Sequence, residues 1–379
     1  MTPAAEDTSP VPASPTSVLQ VLFATTEQVI GPLPGYHHET YAVRLGAVSG
    51  LFGESAGWVK LRDPRPGLLW FDRRCFGSED ELLATLAGRV SHIPTVGHID
   101  SLTVQGFIEG CTLAEVAPPG EEVPAGFVGQ IVRLFRELLA VEPYDPALLA
   151  LHAPLPEERG SAEFARDLVR FTFTDVVEHS LPHFDALFHS LGIHPGSAPA
   201  TASSLEARLR GMTPRPFGLL HGDVHRANLI VDEHDALWAI DWELALIGDP
   251  LYDLATHLHL MRYPARQETE VIARWADVAE QSRPGAAEGI EADLPRYLAF
   301  KRIQSVYTDV IRQAYSTERG ETSTAEAAEV INTALDRAAD SLPLPTVAGA
   351  GEIEHELLTW LATPRQQRAA NTGGSPSAS

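Results

Sequence analysis

Residues 18–105 are dominated by short runs of β-branched, aliphatic and aromatic residues separated by glycine and proline. Runs of this length, bounded by turn-forming residues, predict β-strands. In chain order they are VLQVLFA, TYAVRL, GWVKL and TVQGF. The stretch Ser78–Arg89 instead has helical spacing, with three leucines on one face. Ser78 is placed to cap that helix, and Glu81 to complete a capping box.

After residue 125 the apolar positions follow the longer period of amphipathic helices. The predicted helices are Phe127–Val141, Ala162–His179, Ser204–Gly211, 268–281, 295–317, 324–341 and 352–362. These patterns predict an α+β protein with an N-lobe over 18–105, a Gly/Pro-rich connection over 106–125 and a helical C-lobe over 126–365. The terminal stretches 1–17 and 366–379 are rich in small residues and are predicted to be disordered.

One segment of the C-lobe interrupts the helical pattern. From Leu220 to Asp241 the sequence is LHGDVHRANLIVDEHDALWAID, which predicts strand, loop, strand and turn. Asp223, Asn228 and Asp241 lie at the ends of its apolar runs. Phosphoryl transfer uses such a set, because it needs a carboxylate near the attacking hydroxyl together with a carboxamide and a second carboxylate on Mg²⁺. Oxygen ligands of this kind suit Mg²⁺.

The motif HGDVHRAN resembles the catalytic loop of the aminoglycoside phosphotransferase and choline kinase family, and AIDWE followed by GDPLYDLA is similar to that family's metal-binding segment. The resemblance implies a two-lobed protein-kinase-like fold with a small β-rich N-lobe and a larger, mainly helical C-lobe. It also implies transfer of a phosphoryl group from ATP, with Mg²⁺ as cofactor.

The resemblance assigns a role to each polar residue of these motifs. Asp223 would be the catalytic carboxylate, while Asn228 and Asp241 would hold the metal. His221 and His225 would support the loop. Two further aspartates follow in GDPLYDLA. Asp249 precedes Pro250 as a predicted helix N-cap, and Asp253 is expected to brace the catalytic loop.

The nucleotide-binding residues implied by the resemblance lie in the N-lobe. Lys60, in WVKL, matches the strand lysine that contacts the α- and β-phosphates, with Glu79 as its expected partner on the following helix and Glu81 as the alternative. Adenine is expected at backbone groups between Gln105 and Ile108, where Phe107 lies. The nucleotide loop is expected between Gly31 and Val43, with Thr40 at the start of the next strand. This loop departs from the family pattern, because bulky Tyr and His follow Gly35.

The composition of the chain limits the classes of molecule that it is expected to bind. The chain carries a net charge of −23, of which residues 106–379 hold −19, from 21 basic and 40 acidic residues. This disfavours nucleic acid and anionic membranes, and favours a cationic small-molecule acceptor such as an aminoglycoside. Only two cysteines are present and no signal peptide is recognised, so a cytoplasmic location is expected. Only two of the 28 basic residues are lysines, which makes the lysine at position 60 notable.

Three alternatives remain open on the sequence. The chain could phosphorylate Ser or Thr of a precursor peptide, it could be a nucleotide-binding pseudoenzyme, or the interval from Asp223 to Asp241 could serve a metal hydrolase. A zinc site is also conceivable at His179, His183, Asp185 and His189. We disfavour zinc because Pro182 is expected to interrupt any helix there and no second ligand set has metal spacing.

Overall fold

The N-lobe is a five-stranded antiparallel sheet with one helix. In the computed structural model the described residues are 28–33, 38–44, 58–65, 69–99, 102–154, 160–193, 198–342, 348–365 and 368. The strands are β1 (Gln28–Leu33), β2 (His38–Arg44), β3 (Trp58–Pro64), β4 (Val96–Ile99) and β5 (Leu102–Gly106), and the helix is α1 (Glu79–Leu86). Within the sheet they are ordered β1-β2-β3-β5-β4.

Strand alternation decides which side chains of β3 are available for chemistry. Val59 and Leu61 are buried in the sheet core. Lys60 and Arg62 therefore share the opposite face, because successive side chains of a strand alternate. The register places Ala42 of β2 opposite Lys60 and Thr40 opposite Arg62. The strand therefore presents two neighbouring cations from one surface.

Helix α1 forms where the leucine pattern predicts it. The Ser78 hydroxyl accepts a hydrogen bond from the backbone nitrogen of Glu81 at 3.3 Å, which caps the first turn. The helix ends at Leu86, and Gly88 follows in the left-handed region with φ of +76°. The predicted end at Arg89 is therefore one turn too long.

The C-lobe is mainly helical. Its helices are α2 (Leu113–Val116), α3 (Ala125–Ala140), α4 (Pro146–Leu151), α5 (Ser161–Arg170), α6 (His179–Ser190), α7 (Ala198–Leu209), α8 (Pro250–Met261), α9 (Ala265–Ser282), α10 (Ile290–Glu318), α11 (Thr324–Ala338) and α12 (Ala350–Ala362). A single buried apolar cluster includes leucines of α1 and side chains of most of these helices. In the described part of the chain, no helix is long and apolar enough to cross a membrane.

Five short strands carry the polar motifs. They are β6 (Cys111–Thr112), β7 (Gly218–Leu220), β8 (Leu229–Val231), β9 (Leu237–Ala239) and β10 (Leu246–Gly248). Strand β7 pairs with β10, and β8 lies between β6 and β9. The strand, loop, strand and turn predicted for this segment are confirmed.

Three sequence expectations need correction or fall outside the described residues. Pro182 does not interrupt the helix, since it lies inside α6 and follows a π-helical stretch, Phe171–Glu178, that changes the backbone bonding just before it. The expected nucleotide loop is described only at its two ends, where Gly31 lies in β1 and Thr40 in β2, and its middle, residues 34–37, lies outside the described residues. The first predicted strand, VLQVLFA, lies outside the described residues, as do the predicted disordered stretches apart from residue 368.

The lobes are also joined by residues 69–77, which we call the crossing segment. It runs from β3 toward α1 and packs on the C-lobe. Gln304 of α10 donates to Asp72 at 2.9 Å, and the backbone nitrogen of Ala153 donates to the Cys75 carbonyl at 2.6 Å. Just before it, Arg65 forms an ion pair with Glu321 at 2.5 Å. The crossing segment therefore fixes N-lobe residues against the last part of the C-lobe.

Candidate active site

Two strand ladders position the loop from His221 to Asn228. The β7–β10 ladder ends with Leu220 opposite Leu246, and the β8–β9 ladder begins with Leu229 opposite Ala239. Gly222 has φ of +80°, and a Cβ there would lie 2.4 Å from the Leu244 carbonyl oxygen. Only glycine fits this approach, which explains the second residue of the HGD motif.

Asp223 is held as an ionised carboxylate. Its Oδ2 accepts a hydrogen bond from Asn228 Nδ2 at 2.8 Å and lies 3.5 Å from His225 Nε2. Burial opposes ionisation, but the charge and hydrogen bond of His225 outweigh it and lower the pKa of Asp223 to about 2. The same pairing raises the pKa of His225 against the effect of burial. An ionised carboxylate can accept the hydrogen bond of a hydroxyl group.

Asn228 and Asp241 are neighbours because β8 and β9 form an antiparallel hairpin. The backbone nitrogen of Ile240 donates to the Asn228 carbonyl at 3.0 Å, so Asp241 follows directly beside Asn228. Asp241 has φ of +65°, an uncommon backbone conformation for a residue other than glycine. The Asn228 amide nitrogen is used by Asp223, so its carbonyl Oδ1 is the atom available to a cation.

The charge around Asp241 fits a bound cation. Burial, followed by the negative charges of Glu79 and Asp223, raises the pKa of Asp241 to about 6. A divalent cation relieves such crowding, and the oxygen donors present are those that Mg²⁺ prefers. Across the described ranges, no group of three or more His, Cys, Asp or Glu side chains could hold a metal ion. A cation at this pair would therefore take further oxygens from phosphate and water.

Arg62, which the sequence analysis did not select, is the central cation of the N-lobe side. It forms an ion pair with Glu79 and donates to Glu243 Oε1 at 3.1 Å. Lys60, the partner expected for Glu79, has no carboxylate within 4.0 Å among the described residues, although its charge helps lower the pKa of Glu79. Arg62 takes the expected place because it shares the face of Lys60 and its planar fork reaches two carboxylates.

Glu79 connects Arg62 to the AIDWE motif. Its Oε1 accepts from the backbone nitrogen of Trp242 at 2.8 Å. Burial raises the pKa of Glu79, but the charges of Arg62 and Lys60 and this hydrogen bond outweigh burial and bring it to about 2. An ionised Glu79 thus ties β3 and α1 to the segment that carries Asp241.

Gln105 and Phe107, expected near adenine, make hydrogen bonds within the N-lobe. The buried Gln105 side chain donates to Glu79 at 3.1 Å and to Asp80 at 2.5 Å, so it helps to hold both carboxylates in place. The backbone nitrogen of Phe107 donates to the Trp58 carbonyl at 2.9 Å. Thr40 lies near the start of the second strand, as expected, and pairs in the sheet with Leu33 and Arg62. Their assignment to nucleotide binding remains a prediction.

The expected supporting residues hold the loop from behind. Asp253 accepts from the backbone nitrogens of His221 at 3.1 Å and Gly222 at 2.8 Å. His221 is buried against the Trp242 ring at 4.5 Å between centroids. Burial lowers the pKa of His221 to about 4, so it is neutral at pH 7.

Asp249 has the geometry of a cap with a buried counterion. It accepts from the backbone nitrogen of Leu251 at 3.0 Å at the start of α8. Arg215 donates to its two carboxylate oxygens at 2.8 Å each, and Tyr297 donates at 2.9 Å. This network fixes α8, and with it Asp253.

Two further buried residues that the sequence did not indicate also hold the loop. Arg226 donates to the backbone carbonyls of Met261 and Glu121, each at 2.8 Å, and to that of Ala117. His257 Nδ1 lies 2.8 Å from the Val224 carbonyl. Their partners are distant along the chain, so no local pattern could have found these contacts.

Fold and site together define a phosphotransferase with a protein-kinase-like fold. The chain matches the model of the phosphotransferase enzyme family, known as APH, over residues 30–292, and it belongs to that family. The family resemblance carried by HGDVHRAN and AIDWE is thereby confirmed. A comparison with curated protein sequences finds no match.

Solved structures share this fold at low sequence identity. An ethanolamine kinase of Plasmodium vivax is 15% identical with a TM-score of 0.54, covering 83% of this chain and 82% of that chain. A macrolide 2′-phosphotransferase of Brachybacterium faecium is 19% identical with a TM-score of 0.51, covering 87% of this chain and 99% of that chain. A choline kinase of Streptococcus pneumoniae is 13% identical with a TM-score of 0.50, covering 86% of this chain and 99% of that chain.

Proposed function

We propose that the protein transfers the γ-phosphoryl group of Mg-ATP to a hydroxyl group of a small, amine-bearing molecule. The observation that carries the proposal is the hydrogen bond from Asn228 to Asp223, together with the pairing of Ile240 with Asn228 that sets Asp241 beside it. Family membership supports phosphoryl transfer, and the named structural relatives include enzymes for small amino alcohols and for a macrolide.

Each residue then has a defined task. Asp223, ionised at neutral pH, would accept the hydrogen bond of the acceptor hydroxyl and orient it toward the phosphorus atom. Asn228 Oδ1 and the Asp241 carboxylate would hold Mg²⁺, which when bound neutralises charge on the phosphate oxygens. Lys60 and Arg62 lie on one face of β3, where positive charge would hold the triphosphate.

Charge also supports the amine-bearing acceptor. The −19 balance of residues 106–379 creates a field that attracts cations toward the C-lobe. An aminoglycoside-like antibiotic meets this description, and modification of its hydroxyl would serve resistance or self-protection. No described contact favours a peptide acceptor specifically. We place the enzyme in the cytoplasm, where its two cysteines, both free in the structure, would stay reduced.

The experiment is a screen of ADP release from Mg-ATP with purified protein and one acceptor at a time. The acceptors are ethanolamine, choline, aminoglycosides, macrolides and Ser/Thr peptides. We expect one small-molecule class to stimulate ADP release and to yield a phosphate ester visible by ³¹P NMR, with no stimulation in Asp223→Asn. Failure of the parent protein to bind Mg-ATP in calorimetry would refute the proposal, and stimulation by peptides alone would refute the acceptor class.

A further inference from the structure

Lys301 is one of only two lysines in a chain whose 28 basic residues are otherwise all arginines. The other is Lys60, on the nucleotide side of the proposed site. Lys301 lies in the middle of α10, and only 8% of its side chain is exposed. A lysine is seldom buried to this degree unless its ammonium has partners.

Among the described residues, the Lys301 ammonium forms one long ion pair and one ring contact. Its nearest carboxylate oxygen, Asp72 Oδ1, is 3.8 Å away, and the nitrogen lies 5.5 Å from the centroid of the Tyr252 ring. Within the described ranges Nζ makes no hydrogen bond. An ammonium carries three donors, so Nζ can still donate to the oxygen of a bound molecule.

Asp72 does not supply a hydrogen-bond acceptor for the Lys301 ammonium. Its Oδ1 already accepts from Gln304 Nε2 at 2.9 Å and from the Tyr252 hydroxyl at 3.4 Å. The carboxylate therefore has closer partners than Lys301, and the pair is too long for a direct hydrogen bond. The Lys301 donors remain available to another oxygen.

The surroundings connect Lys301 to the catalytic loop. The ammonium lies over the ring of Tyr252. The next residue, Asp253, accepts hydrogen bonds from the backbone nitrogens of His221 and Gly222. The Lys301 ammonium therefore lies next to the element that holds the loop of Asp223, on the C-lobe side of the proposed transfer site.

We propose that Lys301 is a further substrate-binding residue of the transfer site, whose ammonium donates hydrogen bonds to an anionic or strongly polar substrate oxygen beside Asp223. This proposal rests on the proposed function. The oxygen belongs either to the γ-phosphoryl group of the nucleotide or to the acceptor next to its reacting hydroxyl. In both cases the donor is a point charge supplied by the C-lobe, opposite the cations of β3.

The first test is kinetic. The parent protein and Lys301→Met are compared in Mg-ATP turnover, both with water as acceptor and with any stimulating acceptor from the screen. Loss of one charge-stabilising donor should lower kcat/KM on the order of 10²-fold. Lys301→Arg should fail to restore the rate, because the guanidinium is broader than the ammonium. Arg302→Met, which removes the adjacent half-buried cation of the same helix, should stay close to the parent.

The variant Asp72→Asn distinguishes a substrate-binding role of Lys301 from a purely structural role. If Lys301 merely fastened the crossing segment to α10, Asp72→Asn and Lys301→Met would lose activity and melting temperature in parallel. That outcome, or unchanged turnover in Lys301→Met, would overturn the proposal. A large loss confined to the Lys301 variants, with melting temperatures near that of the parent, would support it.

The second test identifies the oxygen. Lysine labelled with ¹³C at Cε gives only two lysine signals in this chain, assigned by Lys60→Arg and Lys301→Arg. A Lys301 signal that moves with Mg-AMP-PNP but not with Mg-ADP identifies the γ-phosphoryl group, and one that moves only with the stimulating acceptor identifies an acceptor oxygen. A signal unmoved by all three ligands overturns the proposal. If the Lys60 signal ignores both nucleotides and the parent shows no turnover, the proposed function itself has failed.

Discussion

The amide nitrogen of Asn228 lies 2.8 Å from a carboxylate oxygen of Asp223. This bond joins Asp223 to the last residue of the loop and leaves the Asn228 carbonyl oxygen available to a cation. One short contact thus couples the orientation of the proposed catalytic carboxylate to the proposed metal site. A substitution at either residue should therefore alter the position of the other side chain.

Asp223→Asn should abolish turnover while Mg-ATP still binds. Loss of the carboxylate that orients the acceptor should cost roughly 10²–10⁴-fold in rate. The measurements are ADP release with the stimulating acceptor and calorimetry of Mg-AMP-PNP binding. A variant that retains near-parental turnover would remove Asp223 from the mechanism.

Asp241→Ala should lose the Mg²⁺-dependent part of nucleotide affinity, and Asn228→Ala should lose less of it. The reason is that Asp241 supplies a charged ligand and Asn228 a neutral one. ATP binding measured by calorimetry with Mg²⁺ and with EDTA gives the difference for each variant. Equal Mg-ATP affinity in Asp241→Ala and the parent would contradict the assignment of this pair.

Arg62→Met should destabilise the protein by about 3–5 kcal/mol, because it leaves the buried Glu79 carboxylate without its ion-pair partner. Adding Glu79→Gln to Arg62→Met should recover part of that loss, since the uncompensated charge is then gone. The matched control is Arg89→Met, which breaks an ion pair with Asp145 at the surface, where Arg89 is 42% exposed. The control should cost at most about 1 kcal/mol in denaturant unfolding.

The free energy of unfolding of the metal-free protein should depend on pH through the titration of Asp253. Burial raises the pKa of this carboxyl from 3.8 to about 6, although two backbone hydrogen bonds oppose the shift. Between these values the folded state binds more protons than the unfolded state, so this group's contribution to the free energy of unfolding falls as pH rises from about 4 to about 6.

Asp253→Asn should remove that slope. Urea unfolding of the parent and the variant across this pH range gives a difference curve that isolates the residue. The variant should also turn over more slowly, because an amide nitrogen cannot accept the backbone hydrogens of both His221 and Gly222. A difference curve that is flat with pH would show that Asp253 does not titrate as proposed.

The sequence by itself determined the local structure of the loop and the class of fold. Asp223, Asn228 and Asp241 lie within one strand, loop and hairpin, so their relative positions follow from local spacing and antiparallel pairing. The same local rules placed α1 and its Ser78 cap. They also gave the N-cap at Asp249, because a cap and the proline after it are neighbours in the chain.

Only the tertiary structure decided which charges face this loop. Glu79 pairs with Arg62 instead of Lys60 because β3 presents both cations on one face and the packing of α1 against the sheet selects between them. Pro182 was tolerated within a helix because a preceding π-helical stretch altered the bonding, which a periodicity argument does not detect. Lys301 follows Asp223 by 78 positions and reaches its surroundings only through the packing of α10 on α8 and the crossing segment. Contacts between residues far apart in sequence depend on how whole elements pack, and composition and spacing alone do not specify that packing.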